Sequence, residues 1–386
     1  MGIFSNTVSV CQFRVIGEVP QRDLFGWGSE KLAKQAFQPI DGGTQESSTG
    51  WVHVDDPREF TFDAPLAFQR DHYLTFSIRT DTRKVPGALL KGEYELAERE
   101  FLAANPGFRR VPKQKREEIR ERVKESLLAR TLPVPATSDA VWDTRSGIVT
   151  FTSLGSKNVD LFDGLFRKTF EGFRLIPVHP FARGELVLEE ALLPRLAAEN
   201  KASGDSVLHS IRDNRWIGWD FFTWLMYLTM NGRSEYAVSR PGPAADGEPF
   251  SAYLDDRLVL LAQGENGTQK VTVAGPQDRF EEVRTALRAG KVIQEATLHL
   301  EQDENHWKTT LKGEMFHFAS FRCPSVRIEK DAGVDEASER EAVFFERMAV
   351  LERGFQLFDS LYRGFLAERL GEEWPRRMEA IREWIG

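Results

Sequence analysis

The spacing of apolar and polar positions divides the chain into runs of strand followed by runs of helix. Val8 to Ile16 alternates with period two and predicts a strand, and "SEKLAKQAF" (Ser29–Phe37) behind it has helical spacing. "GWVHV" and "HYLTFSIRT" read as strands, the second alternating Leu74, Phe76 and Ile78 with polar neighbours. From Leu89 to Leu128 good helix formers dominate, interrupted only by "NPGF" at Asn105–Phe108. Pro106 and Gly107 break helical continuity, so the pattern predicts two helices folded into a hairpin. "AVWDTRSGIVTFTS" returns to strand around a turn at Asp143–Gly147. "SKNVDLFDGLFRKTFEGF" resumes helical spacing with Ser156 as a candidate N-cap.

"SRPGPAADGEP" (Ser239–Pro249) has linker composition. Beyond it come two strands, a helix "QDRFEEVRTALRAG" ended by Gly290, and two longer strands flanking "DENH", which predict an antiparallel hairpin. The chain ends in helix. Phe344, Met348, Leu351, Phe355, Phe358, Tyr362 and Phe365 form an a/d stripe, suited to a core-facing helix or to a dimer contact. Strands and helices come in runs rather than in βαβ alternation. The fold class is therefore α+β, with antiparallel sheets and packed helices. The expected division is a central α+β domain at 1–84 and 140–200, a helical finger at 85–139, an insertion at 201–250, and a C-terminal α+β domain at 251–386.

The 386 residues include only Cys11 and Cys323, which fits a reducing cytosol. "FFTWLMYLTM" (Phe221–Met230) is the most apolar run and is too short to span a bilayer. "MGIFSN" fits the myristoylation pattern, but the strand-like alternation directly behind it favours an ordinary folded start. The phosphate-loop, dinucleotide-fold, nucleophile-elbow and zinc-protease motifs are all missing, and nothing implies a cofactor. His299 and His317 fall on the two predicted strands and could face one another. Asp55–Asp56 and Asp255–Asp256 are the carboxylate pairs a Mg²⁺-dependent nuclease would use, although both sit beside expected turns. Trp216, Trp219 and Trp224 could stack on bases, but their apolar neighbours favour burial.

Charge changes the picture. The chain is acidic, with 51 Lys and Arg against 59 Asp and Glu. Yet Arg109 to Arg130, "RRVPKQKREEIRERVKESLLAR", carries nine cations and four glutamates. Local pairs such as Glu121 with Lys124 or Glu118 with Arg122 cannot neutralise that excess. Arg83, Lys84 and Lys91 add cations at the other end of the insert. A polyanion would repay the repulsion through counterion release. A solvated helix and an acidic protein partner remain the alternatives.

The sequence resembles the RdgC family of recombination-associated DNA-binding proteins. The resemblance is carried by "KQAFQPIDGGTQESSTGWV", "TRKVPGALLKGEYELAERE", "REEIRERVKESLLARTLP", "VWDTRSGIVTFTS" and "LIPVHP", and downstream by "RAGKVIQEATLHLE" and "LKGEMF". It implies a homodimer closed into a ring around double-stranded DNA, with a protruding helical finger. The implied binding has no sequence preference and restrains RecA-driven strand exchange, with no enzymatic step. A cytoplasmic, nucleoid-associated location goes with it. Arg109, Arg110, Lys113, Arg116 and Arg120 fall on basic positions of the family's finger. Lys115, Lys124, Arg83, Lys84 and Lys91 complete the expected DNA-binding set. Where the family has a finger-tip phenylalanine, this chain places Leu132, an apolar wedge without a π-face. Residues 200–250 and the tail after 330 exceed the usual length. The alternatives are a Mg²⁺-dependent DNA nuclease and a protein inhibitor that uses the basic helix.

Overall fold

A computed structural model describes residues 2–20, 22–41, 43–204, 206–264, 267–275, 280–326 and 336–386. In chain order the elements are β1 (Thr7–Ile16), α1 (Leu24–Lys34), β2 (Ser47–Val52), β3 (Gln69–Arg70), β4 (Tyr73–Thr82), α2 (Gly87–Ala104), α3 (Lys113–Arg130) and β5 (Val134–Asp143). Next come β6 (Ile148–Phe151), α4 (Ser156–Thr169), β7 (Arg174–Pro177), α5 (Pro180–Val187), α6 (Leu193–Ala198), α7 (Val207–Asp213) and α8 (Trp216–Met230). The last are β8 (Glu235–Ala237), β9 (Pro249–Gly264), β10 (Gly267–Ala274), α9 (Glu281–Arg288), β11 (Val292–Gln302), β12 (Asn305–Lys312), β13 (His317–Arg322), α10 (Glu336–Arg369) and α11 (Trp374–Ile385).

The chain divides into two compact units. The smaller comprises Glu18–Thr144 and Leu161–Gly172. Its sheet is β5-β4-β2, antiparallel throughout, with β3 on β4. One face is closed by aromatic rings. Trp51 meets Phe76 at 4.8 Å and Phe162 at 6.1 Å, and Trp142 meets Phe166 and Phe170 at 5.4 Å each. The Trp51 indole N–H donates to Thr169 Oγ1 at 2.7 Å, so its one polar atom is satisfied in the core. α1 starts at Leu24, earlier than the Ser29 expected. Asp23 caps it, accepting from the Gly26 N–H at 3.0 Å. Gly26 and Gly28 disguised this start, and Gly28 is required because a Cβ there would lie 2.6 Å from Phe68.

The larger unit comprises Met1–Gly17, Arg145–Asp160 and Phe173–Gly386. Its strands run in the order β10-β9-β11-β12-β13-β1-β6, with β7 added on β1 and β8 on β9, every pair antiparallel. The aromatic stripe of α10 is buried from Phe344 to Phe365. Phe221 of α8 meets Phe358, Tyr362 and Phe365 at 5.4 to 5.9 Å. That stripe closes the chain's own core. Gly354 also finds its reason here, since a Cβ would lie 2.7 Å from Trp307 and Phe321.

Residues 201–250 share this unit with 251–386, because α8 lies in its core. The linker-like stretch is pinned: Gln356 donates to the Arg240 and Ala244 carbonyls at 2.7 and 2.8 Å and accepts from the Ala244 N–H at 2.8 Å. The long strand read at 306–321 is two strands, since the chain turns between Lys312 and His317 with Phe316 at φ 48°. His317 therefore lies on a third strand and does not face His299. His299 instead meets His306, Nδ1 to Nε2 at 2.9 Å, and Asp256 at 3.1 Å.

Candidate nucleic-acid interface

The insert between β4 and β5 is a pair of packed helices, α2 and α3. Apolar residues are sparse in α3, so what holds it is a narrow seam of Ala97, Val111 and Ile119, with Tyr94, Phe101, Leu102 and Val123 packed around it. A polar clamp adds to the seam. Tyr94 donates to Glu98 at 2.7 Å, and Arg116 pairs with Glu98 at 3.1 Å. Burial and the Glu98 carboxylate raise the Tyr94 pKa, against the opposing charges of Arg116 and Arg120. Both cations therefore face the same stretch of α2.

Helical periodicity sorts the charges. Lys113, Arg116, Arg120 and Lys124 recur at intervals of three, four and four, so they share one face over roughly 16 Å at 1.5 Å per residue. Glu117, Glu121 and Glu125 form a separate stripe roughly a quarter turn away at 100° per residue. Geometry, more than composition, keeps the glutamates from quenching the cations. Arg109 and Arg110 extend the face toward the turn, and both are exposed. Lys91, two turns before Glu98 on α2, falls beside Lys124 by the same periodicity and pairs loosely with Glu95 at 3.8 Å. Lys115 lies on the opposite flank and pairs with Glu118 at 2.6 Å. Lys124 meets Glu46. Among the described residues, Arg109, Arg110, Lys113, Arg120 and Arg122 have no ion-pair partner.

The start of α3 intensifies the field. Pro112 provides no side-chain cap, and the first turn holds no acid. The first intrahelical bond runs from the Arg116 N–H to the Pro112 carbonyl at 2.9 Å, so the preceding N–H groups point outward unsatisfied. Cations at the positive end of a helix cost about 0.3–1 kcal/mol each at low salt. Here Lys113, Lys115 and Arg116 stand where acids would be stabilising. An approaching anion relieves both terms.

Two expected residues fall elsewhere. Arg83 is only 6% exposed, and its guanidinium is spent on the carbonyls of Ile40 (2.9 Å) and Gly43. It ties the root of the insert to the loop before β2 and offers nothing to a ligand; its neighbour Lys84 is exposed. Leu132 is 83% exposed but does not occupy a tip. It follows the last residue of α3 and precedes Val134, which pairs with Thr82 where β4 ends. A helical hairpin has its tip at the turn between its helices. There the exposed apolar group is Phe108, half exposed and packed 6.1 Å from Phe101. The "NPGF" break was the signal that could have found it. Arg122 and Arg130, exposed on the flank beyond Lys115, were also missed as candidates.

Three of the four carboxylates in the acidic doublets are engaged by cations, while Asp255 Oδ1 is buried without a hydrogen-bond partner. Asp55 pairs with buried Arg70, and Asp56 pairs with Arg58 at 2.6 Å, which holds its carboxyl well below the usual range. Asp256 sits at a bulge of β9 with φ 61°, held by Lys308 at 2.5 Å and His299. Among the described residues no cluster of three or more His, Cys, Asp or Glu is placed to hold a metal ion. Nor, among them, is any helix long and apolar enough to cross a membrane.

Fold and surface together define an α+β protein with antiparallel sheets and an inserted helix pair carrying an exposed basic face, two of whose four cations are ion-paired. Residues 27–208 match the family model described as "Putative exonuclease, RdgC". Over that span, which contains the whole insert, the chain is similar to the RdgC family. No curated protein matches the chain.

Proposed function

We propose that the chain binds double-stranded DNA without sequence preference through the Lys113–Arg116–Arg120–Lys124 face, acting as a homodimer that encircles the duplex and modulates RecA-dependent recombination. The observation that carries this reading is the separation of that face from the glutamate stripe, at a helix start that is itself electropositive. A duplex presents one charge per roughly 1.7 Å of axis, so a face of roughly 16 Å spans about ten phosphate charges. Residue types on the face support contact with phosphate rather than base reading, since its four positions hold only Lys and Arg, and Gln114 falls on the glutamate stripe instead. Phe108 at the turn would add apolar contact.

Binding without cleavage is favoured over the exonuclease in the family description. Three carboxylates of the acidic doublets are already held by Arg70, Arg58 and Lys308, and freeing them for a metal would leave those cations unpaired. The test is incubation of the pure protein with end-labelled linear duplex, with Mg²⁺ and then with EDTA. Retardation in both, with intact strands, is expected. Metal-dependent shortening of the label would overturn the reading.

A further inference from the structure

The larger unit contains a polar cavity of about 250 Å³, bounded by β1, β7, the start of α5 and residues 200–204 and 206–210. His179 lines it and is 3% exposed, yet its ring has no hydrogen-bond partner among the described residues. Only its main chain is committed: its N–H donates to the Pro177 carbonyl at 3.0 Å, and its carbonyl accepts from Arg183 at 2.8 Å. His179 is the N-cap of α5 but provides no side-chain cap, and Pro180 behind it has no N–H. The N–H groups of Phe181 and Ala182, which also line the cavity, are therefore the free donors of this helix start. Arg14 enters from β1. Its Nε is buried without a partner, and its other end reaches Glu185 only at 3.7 Å.

The remaining polar walls are also donors. Ser206 accepts from the His209 N–H at 3.2 Å, which leaves its hydroxyl proton available. Asn200 Oδ1 is taken by the Asn214 amide at 2.7 Å and the Ala202 N–H at 2.9 Å, which leaves its own amide free to donate. Buried donors without partners, here Arg14 Nε and the Phe181 and Ala182 N–H groups, are costly, so the cavity calls for an acceptor-rich occupant, while Ser206 and Asn200 are exposed. Among the described lining residues one carboxylate, Glu185, opposes that charge.

We propose that this cavity binds a phosphate group, free or as a monoester, held by Arg14, His179 and the start of α5. Burial and the nearby Arg14 charge hold the His179 pKa down to about 4, so the ring is neutral near pH 7. A neutral imidazole donates at one nitrogen and accepts at the other. It can therefore accept a hydrogen bond from the P–OH of a monoprotonated phosphate, a donor that sulfate lacks at that pH.

The experiment is equilibrium dialysis of the full chain against inorganic phosphate at fixed ionic strength, with sulfate as competitor. One saturable site per chain, displaced only weakly by sulfate, is expected. Arg14→Gln should weaken it about tenfold or more, the loss of one charge-assisted hydrogen bond. Glu185→Gln should tighten it, because the opposing charge goes while the donors stay; this gain cannot come from a misfolded chain. Duplexes with 5′-phosphate and 5′-hydroxyl ends then identify the source. A preference for the phosphorylated end that Arg14→Gln abolishes assigns the site to strand ends, and phosphate binding without that preference assigns it to a small phosphate. Absence of saturable phosphate binding to folded wild type overturns the proposal. So does a Glu185→Gln variant of unchanged affinity. The Lys113/Arg116/Arg120/Lys124 alanine variant should bind phosphate as wild type does, so this inference and the DNA-binding reading fail separately.

Discussion

Changing Lys113, Arg116, Arg120 and Lys124 together to Ala removes the basic face while sparing the seam beneath it. Each phosphate that is no longer neutralised should reduce the slope of log affinity against log salt by about 0.9, so four substitutions reduce it by up to about 3.6. Stability should change little. Two of the four make ion pairs, Arg116 with Glu98 and Lys124 with Glu46, and both pairs are exposed enough to be worth at most about 1 kcal/mol each. Against this, the charge strain at the start of α3 is relieved, and Ala is the best helix former. The assay is a fluorescence-anisotropy titration at several salt concentrations on two duplexes of unrelated sequence, with circular dichroism as folding control. Affinity should fall alike on both duplexes. A folded variant that keeps the wild-type slope would refute the reasoning, since the phosphate path would then run elsewhere. A weakening confined to one duplex would point to base reading and contradict the assigned roles.

Leu132→Ala should leave the salt slope and the retardation of duplex DNA unchanged, whereas Phe108→Ala should weaken binding; gel retardation with both variants decides which end of the insert meets DNA. Phe358→Ala should cost about 3–5 kcal/mol, measured by urea unfolding, because the ring is fully buried against Phe221, Phe316 and Phe318. The pKa of His179 is depressed in the fold, so its neutral form is the native one, and stability present above pH 6.5 should be lost as pH falls toward about 4. Urea midpoints from pH 7 to 4.5 should show this decline, and His179→Gln should flatten it. Light scattering at micromolar concentration should return twice the chain mass, and a monomer would remove the ring from the proposed function.

Much of the architecture is local in origin and could be read along the chain. The alternation of Val8 to Ile16 and of Leu74 to Ile78 is a period-two signal of strand, although β4 proves buried on both faces from Leu74 to Ile78. "NPGF" stops a helix wherever it occurs, so the hairpin was legible too. The a/d stripe of α10 announced a buried face but not the surface that buries it. Phe221, Phe316 and Phe318, distant in sequence, decided that the stripe closes the chain's own core. The nine cations between Arg109 and Arg130 were visible as composition. Their grouping into one face and the glutamates into another follows from helical periodicity, but the pairing of Arg116 with Glu98 needed the packing of α2 on α3.

The tertiary structure alone decided the rest. Arg83 and Lys84 are adjacent and equally basic, yet one is buried on the carbonyls of the loop before β2 while the other is exposed. No local rule separates them, because burial depends on which loop folds over. Leu132 was assigned to a tip by its likeness to a family motif, and the fold places it at a root because the turn lies at 105–112. The cavity at His179 was invisible in sequence for the same reason. Its donors come from β1, from the start of α5 and from the segment before α7, and only the antiparallel pairing of β7 on β1 brings Arg14 to His179. Local propensity sets the elements, and burial sets which of their polar groups are left to meet a partner.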